Sequence, residues 1–357
     1  MKFLKIALLG TAALAAASVS ARADSLDSLK AAMDNLTIGA VADAPAAAAP
    51  ATVIVWDGRV RAAAGTEYKA ANPAGTQYAS DIKTNFHLGV NATTQTAVGE
   101  VGVGIAIQSA NTAGFGQANG QGGDFVKPDG YAGWWKMSPT MTLKAGTLGT
   151  QKSSYSTDAM LTNWFYEKVS AIQAYGANND PAAFGLYYAD GPIGFGLQVY
   201  DSNNANNSSA FGVNAKASYK MDAIGFDITG DYAGRVQGAA SWAVSGGVGY
   251  SAGAFSLGVA LGTGSETWTV AGAPGAGTST LGSIGAKVAL SDVARLELGA
   301  SRDFAMAGNP TWFTGGIYYT PVKQLAFGIE AGYQSSGLGA AGGDGSYSAG
   351  LVSQFSF

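Results

Sequence analysis

Hydrophobic and polar residues alternate along most of the chain between Thr52 and Phe357. In the last segment Tyr347, Ala349, Leu351, Phe355 and Phe357 share one parity, while Ser348, Gly350, Gln354 and Ser356 share the other. A period of two puts successive side chains on opposite faces of an extended chain, so each such segment predicts a strand with one apolar and one polar face. Sixteen segments qualify: 54–60, 86–90, 101–107, 131–137, 141–148, 184–189, 193–200, 211–220, 224–232, 240–251, 255–262, 282–290, 296–300, 313–319, 325–333 and 347–357.

The connections carry a second signal. Pro139, Gly191-Pro192, Asp222-Ala223, Ala252-Gly253, Asp292-Val293 and Pro321-Val322 predict tight turns, and each is separated from the next by a longer polar stretch. Alternating short and long connections between amphipathic strands predict an all-β fold, a transmembrane antiparallel up-and-down barrel of 16 strands. Closure follows from solvation, because open strand edges cannot be satisfied in lipid. Aromatics cluster toward segment ends, among them Trp56, Trp134, Trp135, Tyr187, Tyr200, Tyr232, Trp242, Tyr318 and Tyr333, and this predicts girdles at headgroup level.

The beginning of the chain reads differently. Lys2 and Lys5 precede an apolar run from Ile6, and Ala21-Arg22-Ala23 offers a cleavage site before Asp24, so residues 1–23 are expected to be a signal peptide. In residues 24–51, Leu26, Leu29, Met33 and Leu36 make a narrow helical stripe followed by an Ala/Pro-rich linker, read as a periplasmic extension. Residues 52–357 form the barrel.

Composition narrows the function. Cleavage would remove Lys2, Lys5 and Arg22, leaving 17 basic residues against 24 acidic ones, a charge of −7 that argues against nucleic acid and hints at weak cation selectivity. The chain has no cysteine, which removes disulfides and thiolate chemistry. The inward parity is polar: Asp57, Arg59, Arg61, Lys83, Asn85, His87, Glu100, Thr142, Lys144, Gln198, Asn214, Lys216, Asp227, Asp231, Lys287, Glu297 and Glu330. Burying that many charges in a dry core would be prohibitive, whereas a barrel of about sixteen strands is wide enough to hold water. The long connection 149–181, with 33 residues, contains Asp158, Met160, Leu161, Trp164, Phe165, Tyr166 and Glu167. A segment that apolar is expected to fold inward and pack on the wall.

With its leader, sixteen strands, longest third outer loop and terminal Gln354-Phe355-Ser356-Phe357, the chain resembles the outer-membrane general diffusion porins, in particular those of alphaproteobacterial type. The resemblance implies a bacterial outer-membrane location among lipid and lipopolysaccharide, a homotrimer, no cofactor, no catalysis, and passive diffusion of ions and small hydrophilic solutes. It also implies a constriction in which the loop acids Asp158 and Glu167 face Arg59, Arg61 and Lys83, with Lys144 contributing to the balance of charge. A sugar-preferring channel is the alternative, with Trp134, Trp164, Tyr187, Tyr200 and Tyr318 as its aromatic ladder.

Enzymatic readings find little support. His87 is the sole histidine and no G-x-S-x-G elbow accompanies it. The run Asp201-Ser202-Asn203-Asn204-Ala205-Asn206-Asn207 lacks the glycine and the twelfth-position acid of a calcium loop, and reads as a polar turn. Asp227 and Asp231 fall on one face because strand positions alternate.

Overall fold

The computed structural model describes residues 51–68, 78–109, 126–162, 164, 173–174, 181–202, 211–234, 241–265, 267–268, 278–305, 309–335 and 345–357. The expected leader and extension, and Glu167, lie outside them.

Sixteen antiparallel strands close into one barrel. They are β1 (Thr52–Tyr68), β2 (Tyr78–Thr96), β3 (Gly99–Ser109), β4 (Val126–Lys136) and β5 (Met141–Thr147). After the long connection come β6 (Ala182–Asp190), β7 (Ile193–Asp201), β8 (Phe211–Met221), β9 (Ile224–Ala233), β10 (Ser241–Ala252) and β11 (Phe255–Ser265). The barrel is completed by β12 (Thr278–Ala289), β13 (Ala294–Asp303), β14 (Thr311–Val322), β15 (Leu325–Gln334) and β16 (Ser346–Ser356). Each strand pairs with its neighbours in sequence, and β1 pairs with β16 from Arg59 opposite Ser356 to Tyr68 opposite Tyr347. Two bonds extend that seam past the strand end, Gly58 N–H to Phe357 O at 3.3 Å and Phe357 N–H to Gly58 O at 3.0 Å. The last residue of the chain thus helps to close the ring, leaving no edge to pair with another molecule.

Short and long connections alternate as the sequence predicts. Three tight turns place a residue in the left-handed region: Gly191 at φ 53°, Gly253 at φ 54° and Asp222 at φ 48°. Glycine adopts this conformation freely and Asp tolerates it. One predicted turn is misplaced. Pro321 and Val322 are the last residues of β14, whose register with β15 shifts between Tyr319 and Val322, and Lys323-Gln324 make the turn. Proline is tolerated there because the ladder is already broken at the irregularity.

The two parities differ as period two requires. On the outer face Ile317 lies opposite Ile329, and Ile329 opposite Leu351, making an apolar stripe across three strands; Ile329 and Leu351 are 60% and 61% exposed. On the inner face Glu297 and Glu330, each 0% exposed, lie in one cross-strand row with Gly316 between them. The fold is therefore inverted relative to a water-soluble domain, with greasy residues outside and carboxylates within.

Register also aligns inner-face glycines. Gly225 pairs with Gly249, Gly249 with Gly258, Gly258 with Gly285 and Gly285 with Gly299, a row five strands wide. Without side chains, that row is a groove in the wall of β9–β13.

Candidate functional site

The groove is filled by the segment that follows β5. Residues 149–162 contain one helical turn, α1 (Thr157–Met160), and otherwise run irregularly along the inner face of β7–β13, and Trp164 meets β15. Tyr155 lies over Gly225 and Gly249, Met160 over Gly258, and Leu161 over Gly285 and Gly299. Close packing of this kind needs a bare backbone underneath: a Cβ at Gly299 would stand 2.4 Å from Leu161 Cδ1. Burial, then the charge of Asp227, push the Tyr155 phenol above its ordinary pKa, so it stays neutral where it packs.

Polar anchors flank the groove on both sides. At its start, Gln198 Nε2 donates to Gly149 O at 3.1 Å, and Asn214 clasps Gln151 reciprocally, accepting from the backbone N–H at 2.9 Å and donating to its carbonyl at 3.2 Å. Three wall carboxylates then each accept a main-chain N–H: Asp227 from Ser154 at 2.6 Å, Glu297 from Thr162 at 2.5 Å, and Glu330 from Trp164 at 2.7 Å. Bonds to ionised acceptors are roughly twice as strong as neutral ones, and these are sheltered from water.

Each carboxylate is further compensated. Asp227 accepts from Ser153 Oγ at 2.6 Å and pairs with Lys216 at 3.1 Å, while Lys216 Nζ also donates to Lys152 O and Ser154 Oγ, both at 2.6 Å. Glu297 accepts from Thr162 Oγ1 at 2.8 Å and from Arg295 Nε at 3.0 Å, with Lys287 at 3.5 Å. Glu330 accepts from the Tyr318 hydroxyl at 2.8 Å. Buried charges need such partners to be tolerated. The result is a wall whose acids are spent on holding the segment.

At its described end the segment meets an aromatic clasp. Trp164 stands edge-on to Tyr318 with ring centroids 5.6 Å apart, Arg295 lies 4.5 Å over the Tyr318 ring, and Arg61 lies 5.2 Å from the Trp164 ring. Alternating cations and rings of this kind add cation–π attraction to packing.

The described residues expected at a constriction fall on four elements. Arg59 and Arg61 occupy the inner parity of β1, and Arg61 Nε donates to Gln354 at 2.6 Å. Lys144, on the inner parity of β5, sits 5.0 Å over the Tyr187 ring. Lys83 pairs with Ala63 in the β1–β2 ladder, which puts it on the same parity. Asp158, in α1, is bound by Lys152 of its own segment at 2.8 Å.

Several functional residues escape the sequence reading. Arg295 lies one position before the predicted segment, and only register shows it on the inner face with Glu297. The aromatics also need correction. Tyr200 and Tyr318 were expected in a headgroup girdle, yet both are buried on the inner parity, with hydroxyls on Asp231 at 2.7 Å and on Glu330. Trp134 and Tyr187 share that parity, opposite Lys144 and Gly196. Hydropathy cannot sort such residues, since a tyrosine suits either an interface or a buried carboxylate. His87 is bracketed by two acids, Asp129 at 2.5 Å from Nδ1 and Asp57 at 3.4 Å from Nε2.

No protein-family model matches the chain, and no curated protein sequence does. Solved structures match in shape. The outer membrane channel DcaP of Acinetobacter baumannii aligns over 88% of this chain and 99% of its own, with a TM-score of 0.63 at 12% identity. The anion-selective porin from Comamonas acidovorans aligns over 86% and 100%, with a TM-score of 0.63 at 14% identity. OmpF of Salmonella typhi, in complex with daunomycin, aligns over 85% and 97%, also with a TM-score of 0.63 at 14% identity. Likeness at these identities establishes architecture: the chain is built as a sixteen-stranded barrel of the porin type.

Proposed function

We propose that this chain is an outer-membrane porin, a water-filled channel for passive diffusion of ions and small hydrophilic solutes. The observation that carries the reading is the inverted barrel, apolar outside and lined within by charged and polar side chains. Lipid, with lipopolysaccharide in the outer leaflet, covers the apolar face, and three copies associate side by side. Residues 1–23 direct export, and 24–51 extend into the periplasm.

In this reading residues 149–164 narrow the lumen, and the narrowest section lies between that segment and the wall bearing Arg59, Arg61, Lys83 and Lys144. Asp158 and Glu167 contribute the acids on the segment side. The sugar-preferring alternative is weaker, because Tyr200 and Tyr318 are sealed under hydrogen bonds and offer no stacking face to a passing solute.

Conductance across a planar lipid bilayer tests the proposal. The purified protein should give discrete channel steps, and a chain lacking residues 155–170 should give larger ones; equal steps would remove the constriction role. Lipid exposure is tested separately. Ile329→Arg puts a charge in the middle of the outer apolar stripe and should cost about 2–4 kcal/mol on folding into bilayers. An unchanged unfolding midpoint would mean that this face does not meet lipid.

A further inference from the structure

We infer that His87 and Asp57 form a binding site for a divalent transition-metal ion of the zinc type, with Asp129 orienting the imidazole. The site stands on the geometry of the wall alone, so it does not depend on the barrel conducting.

The chemistry starts from the ring. Nδ1 of His87 lies 2.5 Å from Asp129 Oδ2, and an ionised carboxylate only accepts, so Nδ1 carries the proton and donates it. The neutral imidazole then keeps its lone pair on Nε2. A histidine with one nitrogen held by a carboxylate and the other open is the arrangement metal-binding histidines use, because the outer acid fixes the ring and raises its basicity.

The open nitrogen faces Asp57. It lies 3.4 Å from Asp57 Oδ2, long for an N–H···O bond, which prefers about 2.7–3.2 Å. Two donor atoms each about 2.1 Å from one tetrahedral zinc ion stand roughly 3.4 Å apart. The gap therefore fits a shared ion better than a direct bond. Asp57 reaches this place by leaning over Gly89, its partner in the β1–β2 ladder and the next inward position after His87. A Cβ at Gly89 would stand 2.5 Å from Asp57 Oδ1 and push the carboxylate away.

The side chain of Asp57 is 51% exposed, so an ion held there keeps a wet side. Among the described residues no three histidine or acidic side chains converge on one point, so the protein supplies two ligands and water the others. Imidazole with carboxylate suits zinc, copper or nickel, whereas magnesium prefers oxygen alone. Arg59 lies directly opposite His87 in the ladder, and its charge weakens the hold on a cation. The site is thus a loose one that exchanges its ion with the lumen.

The experiment is a calorimetric zinc titration of the purified protein, prepared without a histidine tag, with ¹⁵N imidazole resonances as the second readout. His87 is the only histidine and the chain has no cysteine, so those resonances have a single source. One zinc ion should bind per chain, shifting the Nε2 resonance while Nδ1 stays protonated; magnesium should move neither. His87→Gln and Asp57→Asn should each lower the affinity about tenfold or more, and Asp129→Asn by about 10–100-fold with the folded electrophoretic mobility retained. Arg59→Gln should raise it several-fold. Zinc binding that survives His87→Gln, or imidazole resonances that zinc leaves in place, overturns the inference. Affinity untouched by Asp129→Asn overturns the orienting role. Zinc binding as expected without channel steps would overturn the channel reading alone.

Discussion

Replacing Glu297 by alanine should widen the channel and destabilise the barrel together. The carboxylate takes the N–H and the hydroxyl of Thr162, and it is the shared counterion of Arg295 and Lys287. Removing it leaves two partly exposed cations without their shared counterion and one main-chain donor without an acceptor. Breaking a buried pair from one side costs about 3–5 kcal/mol. Part of that loss is relieved if residues 155–164 lift off the wall and let water reach the cations, so single-channel conductance should rise as the thermal midpoint falls. Glu297→Gln is expected to lie between, because its amide oxygen still accepts from Thr162 while supplying no charge. A lowered midpoint with unaltered conductance would show that Glu297 stabilises strands alone and does not hold the segment.

Gly249→Phe should displace the same segment by a different route. A Cβ at this position would stand 2.1 Å from Tyr155 Cδ1 and Cε1, and the flexible phenol ring is the group that must leave. Overpacking of this kind costs about 1–3 kcal/mol, and the ladder on either side of Gly249 is untouched. Conductance should therefore rise while the barrel still folds. Gly230→Ala is the matched control, since a Cβ there meets nothing within 4 Å and should change neither property. If Gly249→Phe left conductance unaltered, Tyr155 would not be part of the channel's narrowing.

The two variants separate what sequence could and could not show. Strand number, the alternation of connections and the inward parity of Asp227, Glu297 and Glu330 were all legible, because period two is written locally in each segment. Which acid meets which donor was not legible, since pairing depends on register between strands distant in sequence. The row from Gly225 to Gly299 illustrates the point: each glycine alone is unremarked in a chain with 52 of them, and only cross-strand alignment turns five into a groove. Tyr200 and Tyr318 went astray for a related reason, as their position near strand ends suits a girdle until their hydroxyls are seen on Asp231 and Glu330. Net charge is likewise blind to where each charge stands. A net charge counts Glu330 and Arg59 equally, whereas one is sealed beneath Trp164 and the other faces the lumen.

The grip of Asp227, Glu297 and Glu330 on main-chain N–H groups has a consequence for descent with modification. Every amino acid except proline supplies that donor, so the main-chain part of the attachment at positions 154, 162 and 164 survives a change of identity, although the hydroxyls of Ser154 and Thr162 and the ring of Trp164 add contacts of their own. Side chains of the tethered segment that touch no wall residue carry no duty of anchorage. On the proposed channel reading, a lineage carrying this barrel retunes what it admits by drift in one short stretch, while the wall that holds the stretch stays fixed.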